Sequence, residues 1–359
     1  MKKCQICNST NIKILVKKRE TPFSVCSDFK YKIDFSLATC RECGFVFEIL
    51  DRKFDEIANI VYNNYNIENQ PFPYINNQLR LSIDHLSNII TKNSFKSILE
   101  IGSGRGDFLY TIKERFNYLD IVGIEPSKMD YYIPTINSFF EAEYINKFFD
   151  IVVCRFVLEH IAEPKKFIRE ISKISNHIYI EVPNIDFYLS SGMSEFSPEH
   201  INYFSKQSIK NLFRGFRVDV SISEETLRIF ATKSKYRSNI KSEFKDRQIL
   251  KYFRNIDKIV DLLSKKDKKI AFFGCSKMFL WCYYILDYNI KIDNIICIDD
   301  NPSSLYTIHH NIPIISFDKL ENRDNYIYLI SISNIEIAER ISNRLSEYGL
   351  ENYILWRNL

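Results

Sequence analysis

Residues 98–109 read ILEIGSGRGDFL: an apolar run carrying a carboxylate, glycines at 102, 104 and 106, then an amphipathic segment. A short apolar run closed by glycine predicts a buried strand, and the residues after it predict the start of a helix. Glycine has no Cβ, so such a turn can bring its amides and the helix start close to a ligand. The spacing is GxGxG. A dinucleotide fingerprint needs its third glycine at 107, where this chain has Asp107. The turn predicts a nucleotide without choosing which one.

Outward from it, DIVGIEPS (120–127) predicts a second strand with Glu125 at its tip. A carboxylate there can accept both ribose hydroxyls, about 20 residues past the turn. From Ser97 to about Thr232 strands alternate with helices: FDIVVCRFV (149–157), HIYIEVP (177–183) and FRVDVSISEETLRIFAT (216–232) continue the pattern. This predicts an α/β sheet with covering helices.

These residues carry a resemblance. LEIGSGRGDFL, VGIEPS and FDIVVCRFVLEHIAEPKKFIREI resemble the class I S-adenosylmethionine-dependent methyltransferases over residues 97–232. The resemblance implies a Rossmann-like core with S-adenosylmethionine as cofactor. Glu100 and the turn of Gly102, Ser103, Gly104 and Gly106 would cradle its methionine part, and Glu125 with Pro126 its ribose. Phe139, Phe140 or a neighbour would flank adenine, and Arg155 and Phe156 would line the sulfonium end.

Ahead of this core, Cys4-x2-Cys7 and Cys40-x2-Cys43 form two knuckles. Two residues between thiols let both sulfurs reach one tetrahedral ion, so the four predict a structural Zn2+ site with no open position. Cys26 is unpaired in this pattern and is expected to be buried.

After the last parallel strand comes FSPEHINYFSKQSIKNLF (196–213). In the methyltransferase arrangement this loop would pass over the reacting methyl group. His200 has the side chain whose ordinary pKa suits proton removal near neutrality. The alternative is that His200 packs against the following helix. His160, in LEHI, is expected to be architectural.

The whole layout resembles the sugar C-methyltransferases, which methylate nucleotide-linked keto-sugars. In that family a Cys4 zinc module precedes the core and a Glu-His pair in an EH-x-x-Y loop serves catalysis. Glu199 and His200 match the pair. A connector tyrosine facing the sugar would be Tyr74, with Tyr65 as the fallback. One departure stands out: where the family carries an HGGSLR-like stretch, this chain reads SEETLRIF, keeping only Leu227 and Arg228. This leaves oxygen or nitrogen methylation of another small phosphorylated or non-sugar metabolite as the alternative.

From Lys269, KIAFFGCSKMF and IDNIICIDDN begin a second Rossmann-like block with one glycine, Gly274. Ser276 and Lys277 could meet phosphate there, and Asp299 or Asp300 a ribose. Two other classes are disfavoured: the missing GxGxxG argues against an NAD-dependent redox enzyme, and the intact first turn against a non-catalytic nucleotide-sugar binder. His309 and His310 fall in a polar turn.

The expected organisation is a zinc-binding module at 1–60, a methyltransferase domain at 61–235 and a linker helix with a Rossmann-like substrate domain at 236–359. The substrate cleft is expected between the last two. Bulk properties agree with a folded enzyme: 359 residues, 45% hydrophobic, 26% charged, net charge +4. Basic residues are dispersed, so no nucleic-acid partner is expected. No apolar run reaches the roughly 20 residues that span a bilayer, and the start MKKCQICNST lacks a signal-peptide core, so a cytoplasmic enzyme is expected. Monomer and homodimer both remain open.

Overall fold

The computed structural model describes residues 3–23, 31–63, 76–191, 196–223, 225–235, 239, 241–264, 269–274, 282, 295–300, 312–332 and 335–355. The chain divides into two compact units. Met1–Lys17, Phe35–Ile185 and Glu199–Lys245 form the first, and Lys18–Asp34, Asp186–Pro198 and Asp246–Leu359 the second.

In chain order the elements begin with β1 (Ile12–Pro22), β2 (Lys32–Cys40), β3 (Val46–Glu48), α1 (Phe54–Asn63) and α2 (Asn77–Asn93). There follow β4 (Ser97–Ile101), α3 (Asp107–Arg115), β5 (Asp120–Ile124), β6 (Thr135–Ile136), β7 (Ile151–Arg155) and α4 (Pro164–Ile171). Next come β8 (His177–Pro183), α5 (Ile185–Ser191), β9 (Asn202–Tyr203), α6 (Lys206–Leu212), β10 (Phe216–Ser223) and β11 (Thr226–Lys233).

The main sheet of the first unit has the order β10-β11-β8-β7-β4-β5-β6. Strands β4 to β8 run parallel, and β11 lies antiparallel to both β8 and β10. The chain builds from β4 outward to β6, then returns to lay β7 on the other side of β4. That reversal opens a crevice at the carboxyl ends of β4 and β7, the usual ligand position in such sheets. Register decides which side chains meet there. Glu100 pairs with Val153, Arg155 with Glu181, and Glu181 with Arg228. Alternation along β7 then puts Glu100, Arg155, Glu181 and Arg228 on one face of the sheet.

That face is covered by α2 and α3, whose Leu86, Ile90, Leu109 and Ile112 join Ile98, Val153 and Tyr179 in one core. Helix α2 starts where Asn76 accepts the Leu79 amide at 2.8 Å, and it stops at Ser94 in the left-handed region. The opposite face carries a second core, and here the cysteine segment is a full participant. Cys4, Ile6, Cys40, Cys43, Phe45 and Phe47 pack with Leu99, Ile180 and Phe204. Strand β3 also pairs with β9, Val46 against Tyr203 and Phe47 against Asn202. The boundary expected at residue 60 is thus a change of sequence pattern, while the packing runs across it. Strands β1-β2-β3-β9 form a separate four-stranded sheet. Burying each of these phenylalanines contributes about 1.5–3 kcal/mol, so that small sheet is held largely by the large one.

In the second unit, after α7 (Asp246–Ser264), lie β12 (Lys269–Phe273), β13 (Ile295–Ile298), β14 (Ile314–Ile315), β15 (Tyr326–Ile330), α8 (Ile335–Glu347) and β16 (Tyr353–Leu355). Its sheet, β14-β13-β12-β15-β16, is parallel throughout, around a core that includes Phe273, Phe317, Tyr328 and Leu345. Gly274 follows the central strand at φ +91°. Among the described residues no helix is long and apolar enough to cross a membrane.

Candidate active site

The glycine turn closes β4. Gly102 (φ +73°) and Gly106 (φ +99°) lie in the left-handed region. A Cβ on Gly102 would stand 2.4 Å from Val157 Cγ2, and one on Gly106 2.5 Å from Ile133 Cγ1. The chain's own packing therefore demands both glycines, apart from any ligand. Helix α3 opens directly on the turn, and Gly106 offers it no side-chain cap. A ligand carboxylate or phosphate suits such a start.

Glu125 holds the turn from the side. Its Oε2 accepts the Gly104 amide at 3.0 Å and its Oε1 the Ser127 amide at 2.9 Å. Each oxygen keeps a second lone pair for a ribose hydroxyl. Asn137 Nδ2 donates to the carbonyls of Glu125 and Pro126 at 2.9 and 3.0 Å, fixing the tip of β5. Of the two rings offered to adenine, Phe140 packs edge-on against Phe167, whereas Phe139 is 53% exposed.

Beneath the turn lies a charge network that sequence reading missed. Glu181 is fully buried. It accepts Arg155 Nε at 2.9 Å, Arg228 Nε at 3.2 Å, the Tyr179 hydroxyl at 2.6 Å and the Ser82 hydroxyl at 3.0 Å. Burial alone would raise its pKa, but Arg155, Tyr179, Ser82 and Arg228 together hold it below the ordinary range. Arg155 stacks 4.1 Å over Phe108 and reaches Glu100 Oε1 at 3.9 Å. Arg228, the retained half of the Leu-Arg pair, is therefore framework: it ties β11 to β8 and to Ser82 and the Gln78 carbonyl on α2. Phe156, next to Arg155, has φ +53°, a strained position for a bulky residue.

Glu100 is buried, and its Oε2 has no hydrogen-bond partner among the described residues. Burial pushes its carboxyl up to about 8 despite the opposing charge of Arg155. Between the ordinary carboxylate range and pH 8 the folded chain then holds a proton that the unfolded chain releases, so stability falls as pH rises through that window. Glu48 is raised by burial in the same direction. Glu100→Gln is expected to raise the melting temperature of the ligand-free protein, with a gain that grows from pH 5 to 8. A gain independent of pH would contradict this reading.

The fourth group comes from two distant segments. A 3-10 turn, Leu158–His160, follows β7, and the loop holding Glu199 and His200 leads into β9. Main-chain and amide bonds join them: the Ile201 amide donates to the Glu159 carbonyl at 2.9 Å, and Asn202 Nδ2 to the carbonyls of Leu158 and Ile161 at 3.1 and 2.7 Å. His160 Nδ1 lies 2.8 Å from the Glu199 carbonyl and 3.1 Å from the Tyr62 hydroxyl. The rings of His160 and His200 meet edge to face at 4.8 Å. His160, expected to be architectural, thus stands against His200, and Glu199 enters the arrangement through its carbonyl oxygen. Tyr74 and its fallback Tyr65 lie outside the described residues, as do Cys26, Ser276, Lys277, His309 and His310. In the second unit, Asp300 is paired with Arg344 Nη1 at 3.0 Å, which occupies the carboxylate offered to a ribose.

Cys4, Cys7, Cys40 and Cys43 converge, with Sγ separations of 3.6 Å (Cys4–Cys43) and 3.5 Å (Cys7–Cys40). Hydrogen bonding from Cys43 pulls the Cys4 thiol down to about 5, while burial pushes Cys7 up to about 11. Four thiols so close together, three of them buried, cannot all ionise without a cation, and a tetrathiolate set fits Zn2+. Because these cysteines sit in the core of the main sheet, chelation is expected to lower the melting temperature of the whole first unit. Unchanged melting after metal removal, verified by metal analysis, would contradict a structural role.

Residues 74–219 match the family profile described as a methyltransferase domain. The chain is an S-adenosylmethionine-dependent methyltransferase. No curated protein matches it. Among solved structures it is similar to the plantazolicin methyltransferase BpumL in complex with SAH, at 16% identity over 51% of this chain and 91% of that one, TM-score 0.37. It is also similar to an O-methyltransferase family protein from Burkholderia thailandensis, at 13% identity over 51% and 62%, TM-score 0.35. A third is an S-adenosylmethionine-dependent methyltransferase from Clostridium acetobutylicum, at 10% over 50% and 99%, TM-score 0.36.

The residues fit that cofactor at a specific atom. Among the described residues the buried Glu100 Oε2 lacks a hydrogen-bond donor, and the ammonium of the cofactor's methionine part would supply one.

Proposed function

We propose that the enzyme methylates a nucleotide-activated sugar, most specifically a keto-deoxysugar, with His200 as the base. The observation that carries this reading is the meeting of His200 with Glu159 and His160 just past β7, the strand whose end bears Arg155. S-adenosylmethionine, when bound, supplies an electrophilic methyl group. Glu100, Glu125 and the glycine turn hold it, with Pro126, Phe139, Arg155 and Phe156 around it. His200 takes the proton from the carbon beside the sugar's ketone, and the resulting enolate carbon is the nucleophile. The Glu199 carbonyl can only accept, so His160 carries its hydrogen on Nδ1 and presents a lone pair on Nε2. Tyr74 positions the sugar, and the Cys4, Cys7, Cys40, Cys43 site holds Zn2+ as a structural ion. The parallel sheet of the second unit serves the nucleotide end of the substrate.

The stretch SEETLRIF favours one alternative, O- or N-methylation of another small metabolite, since a histidine and two glycines of the related motif are missing. Product analysis decides between them. The enzyme is incubated with S-adenosylmethionine and a panel of nucleotide-linked keto-sugars, and the position of the new methyl group is read by NMR. A carbon-linked methyl is expected. Methyl transfer only to oxygen or nitrogen would overturn the carbon assignment.

A further inference from the structure

We infer that Glu159, His160 and His200 form a second cation site, which takes a first-row divalent ion through two imidazole nitrogens and one carboxylate oxygen. Each residue offers a ligand atom, and all three atoms lie within 4.8 Å of one another. Ions of this class bind nitrogen and oxygen at roughly 2.0–2.2 Å, so ligand atoms around one ion stand about 3–3.5 Å apart. Closing the present spacing takes side-chain shifts of about 1 Å, and both histidines are only partly buried.

A second, independent feature is the anchoring of His160. Its Nδ1–H is committed to the Glu199 carbonyl at 2.8 Å, with the Tyr62 hydroxyl 3.1 Å from the same nitrogen. That bond fixes the tautomer with Nε2 as the lone-pair atom. Metal-binding histidines carry the same outer support, one nitrogen donating to a carbonyl or carboxylate and the other ligating. The two segments are moreover tied to each other through Ile201, Asn202 and the carbonyls of residues 158, 159 and 161. Glu159 is 1% exposed, which limits competition from water for its oxygens.

The chemistry differs from that of the cysteine cluster. Three N and O ligands leave coordination positions open, so this ion exchanges, whereas the tetrathiolate ion is closed in. Coordination takes the lone pair that His200 needs as a base. The consequence, which rests on the function proposed above, is reversible inhibition by the ion; binding itself does not depend on that reading.

The test uses the full-length enzyme with zinc already in its thiolate site, titrated with Co2+. One further equivalent is expected, with visible bands of a nitrogen- and oxygen-ligated ion and imidazole shifts in the paramagnetic NMR spectrum of the wild type. His160→Ala and His200→Ala, checked for unchanged melting, are each expected to weaken it by on the order of 10–100-fold or more. No further equivalent would overturn the inference, and so would cobalt seen only with the sulfur-to-cobalt absorption of the thiolate site. Binding unchanged in both variants would overturn it as well. Turnover is followed in parallel: inhibition that tracks cobalt binding and reverses with chelator supports both readings. Binding without inhibition keeps the cation site and removes His200 as the base.

Discussion

His200→Ala is expected to lower kcat by about 10²–10⁴-fold, the usual contribution of a positioned base, while S-adenosylhomocysteine binds as it does to the wild type. The separation follows from the fold. The residues proposed to hold the cofactor lie at the ends of β4, β5 and β7, where the Ile124 carbonyl and the Glu125 carboxylate support the glycine turn, whereas His200 arrives on the loop before β9. Removing the imidazole leaves the β3–β9 pairing and the Asn202 anchors in place, so the loop keeps its path. Single-turnover kinetics with calorimetry of cofactor binding read the two quantities apart. Loss of cofactor affinity together with turnover would make the residue structural, and retained turnover would remove it as the base.

Glu181→Leu is expected to cost about 3–5 kcal/mol of stability, or to prevent folding outright. Breaking a buried ion pair from one side leaves uncompensated charge, and here two guanidinium groups, Arg155 and Arg228, depend on the same carboxylate. Because failure to fold gives no number, Glu181→Gln serves as the measurable variant. It keeps one acceptor oxygen, for either the Tyr179 or the Ser82 hydroxyl, and turns an amide donor to the other while removing the charge, and a smaller loss is expected. Denaturant unfolding of the full chain checks both. If Glu181→Leu unfolds within about 1 kcal/mol of the wild type, the network is not what joins β7, β8 and β11.

Much of the first unit is legible from local pattern. The glycine turn, the Glu125 tip and the CxxC pairs are short motifs whose chemistry needs residues close in sequence. What could not be read depends on contacts across long stretches of chain. Glu181 sits in HIYIEVP, where alternation reads as an ordinary strand; only register against Arg155 and Arg228 shows that its carboxylate is wholly buried. His160 looks like framework until β9 brings His200 to it. The shared core of the cysteine segment and the sheet likewise rests on pairing of Val46 with Tyr203, which leaves no local signal.

The most direct test of the proposed chemistry is solvent deuterium exchange, with S-adenosylhomocysteine bound and no methyl donor present. In D2O, the wild type is expected to place deuterium on the carbon beside the ketone of its nucleotide-linked sugar, and His200→Ala is not. Exchange that is absent from the wild type with every sugar it binds, or unchanged in His200→Ala, would contradict the account.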